Sequence, residues 1–198
     1  RIHFVGNVMI DTLARLLPLT PHRQKDSPRP KHLLVTLHRP SNVDNPEVFR
    51  GIMEALQKIS DSMPVIFPMH PRTAKRIDEF GIDASGIRII APLGYLEFLN
   101  LTADAGLVLT DSGGLQEEGP VLGKPVLVMR ETTERPEGLT AGSNRLVGTD
   151  TDTIVQTVEA LLNDPAEYEK MAHASNPFGD GHAAERIVEF LLSRGGRT

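Results

Sequence analysis

Four runs of consecutive apolar residues constrain what this chain can fold into: Leu33-Leu34-Val35, Val65-Ile66-Phe67, Leu107-Val108-Leu109 and Val126-Leu127-Val128-Met129. A strand with water on one face alternates apolar and polar residues, whereas a strand covered on both faces is apolar throughout. The runs therefore read as strands of a parallel sheet lying between helices. With their flanks they give strands at His32–Leu37, Pro64–Met69, Gly106–Thr110 and Pro125–Met129, joined by Arg1–Val5, Ile87–Ala91 and a weaker Arg145–Val147. Helical periodicity fills the gaps, at about Val8–Leu17, Pro46–Asp61, Thr73–Phe80, Tyr95–Ala103 and Leu115–Leu122. This alternation predicts an α/β fold: a doubly wound, mostly parallel sheet with helices on both faces. After Asp150 the pattern is helical only, so 151–198 reads as a C-terminal helical segment, broken at Asp164-Pro165 and between Asn176 and Gly181.

The stretch Pro18 to Lys31 holds four prolines and several charges and reads as an exposed loop. There is no internal repeat, and 198 residues fit one domain. The opening Arg1-Ile2-His3-Phe4-Val5-Gly6-Asn7 reads as a strand already running into a turn, as in a segment of a longer protein; a processed or self-contained chain is the alternative. Lys and Arg number 21 against 26 Asp and Glu, a net charge of -5 that is opposite to the basic footprint of nucleic-acid binders. The absence of cysteine excludes disulfides, thiolate metal sites and thiol catalysis, and suits the cytosol. No apolar run approaches the roughly 18 residues of a spanning helix and no apolar signal region opens the chain, so the reading is neither exported nor membrane-embedded.

Chemistry concentrates where strands end. The segment Leu107-Val108-Leu109-Thr110-Asp111-Ser112-Gly113-Gly114 is a buried strand that breaks and then opens a helix. In a parallel sheet that junction sits at the carboxyl edge, where free backbone N–H groups and the helix dipole favour an anion and where glycine lets a phosphate approach. A tight turn capped by Ser112 explains the same residues. Glu117 and Glu118 lie about one and a half turns into the helix, within reach of ribose hydroxyls, or serve as charges favoured by the dipole. Thr36-Leu37-His38-Arg39, Pro68-Met69-His70-Pro71-Arg72 and Arg130-Glu131-Thr132-Thr133-Glu134-Arg135-Pro136-Glu137 also follow strands, so four polar segments converge on one edge. Solvated surface is the plain alternative for each. The seven histidines lack metal-ligand spacing, and P-loop, dinucleotide and hydrolase-elbow motifs are all absent.

The segments Asp111-Ser112-Gly113-Gly114-Leu115-Gln116-Glu117-Glu118, Leu122-Gly123-Lys124-Pro125, Thr132-Thr133-Glu134-Arg135-Pro136-Glu137 and Ala141-Gly142, with Val147-Gly148-Thr149, resemble the non-hydrolysing UDP-N-acetylglucosamine 2-epimerases. Gly6-Asn7-Val8, Thr36-Leu37-His38-Arg39 and Asn176-Pro177-Phe178-Gly179-Asp180-Gly181 extend the likeness to essentially the whole chain. The resemblance implies one half of a two-domain, GT-B-type architecture, residues 1–198 being the C-terminal UDP-binding domain, with the N-terminal domain lying outside this chain. It implies interconversion of UDP-GlcNAc and UDP-ManNAc by elimination of UDP through a glucal intermediate and its re-addition. No cofactor or metal is implied, and the full-length protein would be a cytoplasmic homodimer serving polysaccharide biosynthesis. Carried over by motif, Ser112, Gly113 and Gly114 would hold the phosphates, Glu118 the ribose and Phe98 the uracil, while His38 and Arg135 would act at the diphosphate. His70 resembles a position facing a second, allosteric UDP-GlcNAc. The carboxylates that move the C2 proton would belong to the other domain. Leu93 replaces a Gln of some members, and Pro40 follows His38-Arg39 where many have Arg. A GT-B glycosyltransferase domain and a non-catalytic nucleotide-sugar-binding module are the competing readings; the Thr-Thr-Glu-Arg-Pro-Glu segment favours the epimerase.

Overall fold

A computed structural model describes residues 2–20 and 32–195. Six strands, β1 (Leu33–Thr36), β2 (Val65–Pro68), β3 (Ile87–Ile90), β4 (Leu107–Thr110), β5 (Val126–Val128) and β6 (Asn144–Leu146), form one parallel sheet in the order β3-β2-β1-β4-β5-β6. The chain builds outward from β1 to β3, then returns to β4 on the other side of β1. Leu33 is accordingly flanked by Val65 and Leu107. The two halves of the sheet diverge between β1 and β4, and in such sheets the crevice beyond the carboxyl ends at this switch point is where ligands bind.

The helices are α1 (Val8–Leu16), α2 (Pro40–Val43), α3 (Pro46–Ser60), α4 (Pro71–Phe80), α5 (Tyr95–Asp104), α6 (Gly113–Val121), α7 (Pro136–Ala141), α8 (Thr151–Asn163), α9 (Pro165–Ala172) and α10 (Ala183–Gly195). Their starts are written in the sequence. Asn45 accepts from the N–H groups of Glu47 and Val48 with Pro46 next in line, and Asp150 and Asp164 cap α8 and α9 in the same manner. Phe49, Ile52, Met53 and Leu56 of α3, with Ile154, Val158 and Leu161 of α8, cover Leu33, Val35, Phe67, Leu107 and Leu109 on one face of the sheet. On the other face Val108, Val126 and Val128 pack against Leu115 of α6 and Phe98 of α5. Helix α6 approaches β5 closely because residue 119 is glycine; a Cβ there would sit 2.4 Å from Val126 Cγ2.

One expectation needs correction. The segment Arg1–Val5 is not a strand over its described residues: 2–7 form no regular structure, and Ile2 and Phe4 are exposed. An apolar alternation becomes a strand only beside a partner, and the sheet ends at β3 and β6 without it. Gly6, at φ +95°, turns the chain into Asn7, whose side chain caps α1, and the His3 ring meets Phe190 of α10 at 4.1 Å instead. The polar segments after β1 and β5 each run into a short helix, α2 and α7, opened by a proline whose missing N–H costs nothing at that position. Of the loop read at Pro18 to Lys31, Leu17–Leu19 form a single 3-10 turn and 21–31 lie outside the described residues. Among the described residues no helix is long and apolar enough to cross a membrane.

Candidate functional site

The end of β4 supplies a fully buried carboxylate at the switch point. Asp111 accepts from the backbone N–H groups of His38, at 3.1 Å to Oδ2, and Arg39, at 2.9 Å, and from Asn42 Nδ2 at 3.2 Å. His38 Nδ1 lies 2.8 Å from its Oδ1. Arg39 Nε donates to the Asp111 carbonyl at 3.0 Å, and Asn42 also donates to the Met129 carbonyl beyond β5. A charge buried this deeply is tolerable only with such a set of donors, and their arrangement ties the ends of β1, β4 and β5 together. Beside it the Thr36 and Thr110 hydroxyls lie 2.6 Å apart, and Thr110 Oγ1 accepts from the Ser112 N–H at 2.9 Å.

Helix α6 opens from this point toward the crevice. Ser112 stands at its N-cap with extended backbone, yet its side chain makes no capping bond. A Cβ on Gly113 would meet the Arg135 guanidinium at 3.5 Å, an ordinary contact, so packing within the chain does not demand glycine there. What the bare position provides is open access to helix N–H groups beneath a guanidinium. Arg135 is fixed from behind. Its Nε donates to Glu117 Oε1 at 2.5 Å, and Glu117 Oε2 accepts from Asn7 Nδ2 at 2.6 Å. The Arg135 loop is latched to α6 through the Thr133 hydroxyl, which donates to Gln116 and accepts from the Arg135 N–H, while Gln116 Nε2 donates to the Ser112 carbonyl. Arg130 donates to Glu134 at 2.7 Å, and this bond is the main reason the Glu134 carboxyl is held down at about 2.

The next residue of α6 is differently placed. Glu118 is buried and accepts from the Tyr95 hydroxyl at 3.1 Å. Burial pushes its carboxyl above the usual range, the Tyr95 bond opposes that and the Glu117 charge adds to it. The Tyr95 hydroxyl is itself pushed up to about 12, first by burial and then by the Glu118 charge. Phe98, nearly one turn further along α5, is half-buried against Val108 and Leu115.

A family model described as UDP-N-acetylglucosamine 2-epimerase matches residues 1–192. The chain belongs to that family. It is 47% identical over 167 residues to the UDP-N-acetylglucosamine 2-epimerase of Bacillus subtilis, covering 82% of this chain and 43% of the relative. The crystal structure of Methanocaldococcus jannaschii UDP-GlcNAc 2-epimerase in complex with UDP-GlcNAc and UDP superposes with a TM-score of 0.83 at 39% identity, over 97% of this chain and 55% of that one. The chain thus spans about half the length of the curated relatives it matches. The glycosyltransferase WaaG, 14% identical with a TM-score of 0.58 over 86% of this chain and 48% of its own, shares the fold alone. The sheet is the Rossmann-like half of a GT-B-type epimerase fold.

Of the residues marked by the epimerase motifs, the structure gathers His38, Ser112, Gly113, Gly114, Arg135 and Glu118 at the ends of β1, β4 and β5 and along the first turns of α6, with Phe98 against the same helix. His70 stands apart at the end of β2, where its Nδ1 accepts from the Arg72 N–H and caps α4. Asp111, Tyr95, Gln116 and Asn7 went unassigned by sequence reasoning. The usable signal was an acid placed directly after the strand that carries the apolar run Leu107-Val108-Leu109, a position at the end of a strand covered on both faces.

Proposed function

We propose that this chain holds the UDP moiety of UDP-N-acetylglucosamine and of its C2 epimer in a protein that interconverts the two by eliminating UDP and adding it back. The observation that carries this reading is the Ser112-Gly113-Gly114 junction, with uncapped helix N–H groups under the Arg135 guanidinium at the sheet's switch point. As the bond from C1 to oxygen breaks, negative charge collects on the β-phosphate, and donors fixed beforehand stabilise it without reorganising. The α6 N–H groups, Arg135 and His38 supply those donors. The Glu118 carboxylate accepts from the ribose hydroxyls, and Phe98 offers an apolar surface to the uracil.

No cofactor enters this scheme. The base that removes the C2 proton is assigned to the other half of the relatives' length, and the family likeness alone suggests a homodimer at that length. A cytoplasmic setting is supported by the lack of cysteine, and a role in polysaccharide biosynthesis by the family's nucleotide sugars. Calorimetric titration of the chain with UDP, against ADP as control, tests the reading: UDP binds and ADP binds far more weakly. Equal affinity for both, or none for either, overturns it.

A further inference from the structure

Asp111 is the most enclosed charged group of the site, and no motif assigned it a task. Its carboxylate lies behind His38 rather than in the crevice: it has no exposed surface, and its acceptors are taken by two backbone N–H groups, the Asn42 amide and the imidazole Nδ1. His38 itself is largely exposed, with 57% of its side-chain surface open. An ionised carboxylate only accepts, so at 2.8 Å from Asp111 Oδ1 the ring nitrogen Nδ1 must carry hydrogen. Nε2, on the far edge of the ring, is then the one nitrogen left for a ligand. We propose that Asp111 is the positioning residue for His38: it fixes the ring orientation and commits the Nδ1 proton, so that Nε2 alone meets the departing diphosphate and donates to it when the ring is protonated. This rests on the UDP reading above.

The same carboxylate sets the backbone from which the histidine hangs, since it holds the N–H groups of residues 38 and 39. Ring and main chain are therefore fixed by one group that is itself immobilised at the end of β4. Replacing Asp111 by Asn distinguishes the two tasks. The amide oxygen can still accept from Arg39 and Asn42, but the amide nitrogen, turned toward His38, donates and forces Nδ1 to become the acceptor. The neutral ring would then carry its proton on Nε2.

Nitrogen-15 NMR of the histidine rings of this chain, at a pH where imidazoles are neutral, reads the first consequence. His38 is expected in the Nδ1–H form and, in Asp111→Asn, in the Nε2–H form. A native His38 already in the Nε2–H form overturns the proposal, and that spectrum needs no variant to fold. The second consequence is read as epimerisation by the protein at the length of its relatives. Asp111→Asn lowers kcat on the order of 10²-fold while KM for UDP-GlcNAc stays within about threefold, the pattern of a group acting in the transition state. In a His38→Ala background the same change costs less than about threefold more, because a residue that acts through histidine has nothing left to act on. Losses that multiply in the double variant show that Asp111 serves only the loop, and overturn the proposal. If the native protein binds no UDP and does not epimerise, the functional reading fails instead, and the NMR result still decides the role of Asp111.

Discussion

Glu117 and Arg135 form a part-buried ion pair whose carboxylate is shared with the start of the chain: Oε1 accepts from Arg135 Nε at 2.5 Å and Oε2 from Asn7 Nδ2 at 2.6 Å. Asn7 also caps α1, its Oδ1 accepting from the Met9 N–H at 2.9 Å. The guanidinium over Gly113 is thus oriented from the α1 side of the molecule, with both Glu117 oxygens engaged by Arg135 and Asn7.

Glu117→Gln should therefore weaken UDP binding although its carboxylate is turned to Arg135 and Asn7. Loss of one charge-assisted hydrogen bond, about 1.5 kcal/mol, corresponds to on the order of tenfold in affinity. Calorimetry should show this loss, and Asn7→Ala a smaller one in the same direction. Undiminished affinity in Glu117→Gln would show that Arg135 is held by its loop alone.

Two of the three glycines of α6, Gly113 and Gly119, are expected to fail in opposite ways. A Cβ at residue 113 meets the Arg135 guanidinium at 3.5 Å, an ordinary contact, so Gly113→Val should fold while placing a branched side chain where the proposed phosphate would lie. Such crowding typically costs ~1–3 kcal/mol, which here is lost from UDP affinity, roughly tenfold to hundredfold. At residue 119 the Cβ would lie 2.4 Å from Val126 Cγ2, so Gly119→Ala should lower the Tm by roughly 2–4 °C for each kcal/mol of overpacking. Melting curves and UDP titrations on both variants separate the two effects.

Glu118 should trade stability for binding. Its folded carboxyl is raised, chiefly by burial, so the folded state holds its proton more tightly than the unfolded chain does. Stability contributed by this group is present below the unfolded value and is lost as pH rises through the raised folded value, leaving a buried charge at neutral pH that costs stability. Glu118→Gln removes that charge at nearly constant shape. Its Tm at pH 7 should equal or exceed the native one, by roughly 2–4 °C for each kcal/mol recovered, while UDP affinity falls. A 2′-deoxyribose nucleotide should lose much less than UDP, since a missing hydroxyl contact cannot be lost twice. Equal losses for both nucleotides would remove Glu118 from the ribose.

The strands were readable because burial on both faces leaves an unmixed apolar run, as in Leu33-Leu34-Val35, and the capped helices because Asn45, Asp150 and Asp164 announce them. The segment Arg1–Val5 misled because apolar alternation records only a preference, and pairing requires an available sheet edge. Among site residues, those with side chains or bare backbone in the crevice carried motif signals. Asp111, Gln116 and Asn7 act across 72, 17 and 110 residues of sequence, through partners that only the fold brings near. Local spacing carries no trace of such pairs.

The chain by itself is expected to bind UDP without epimerising UDP-GlcNAc. Binding a nucleotide needs one sheet edge with a phosphate cradle and a ribose carboxylate, and on the proposed reading Ser112 to Glu118 supply both along one helix. Removing the weakly acidic C2 proton needs a base on the side of the sugar facing away from UDP, in a cleft closed against water. The acids nearest the cradle are otherwise engaged: Asp111 accepts from His38, Arg39 and Asn42, and Glu117 from Arg135 and Asn7. Glu118 accepts from Tyr95, and in the proposed role of holding the ribose it could not also reach C2 of the sugar across the diphosphate. UDP should also bind more weakly than to a protein of the relatives' length, because part of the diphosphate stays in water. NMR of UDP-GlcNAc incubated with the purified chain should show it unchanged. UDP-ManNAc or free glucal above background would place the base within these 198 residues and end this division of labour.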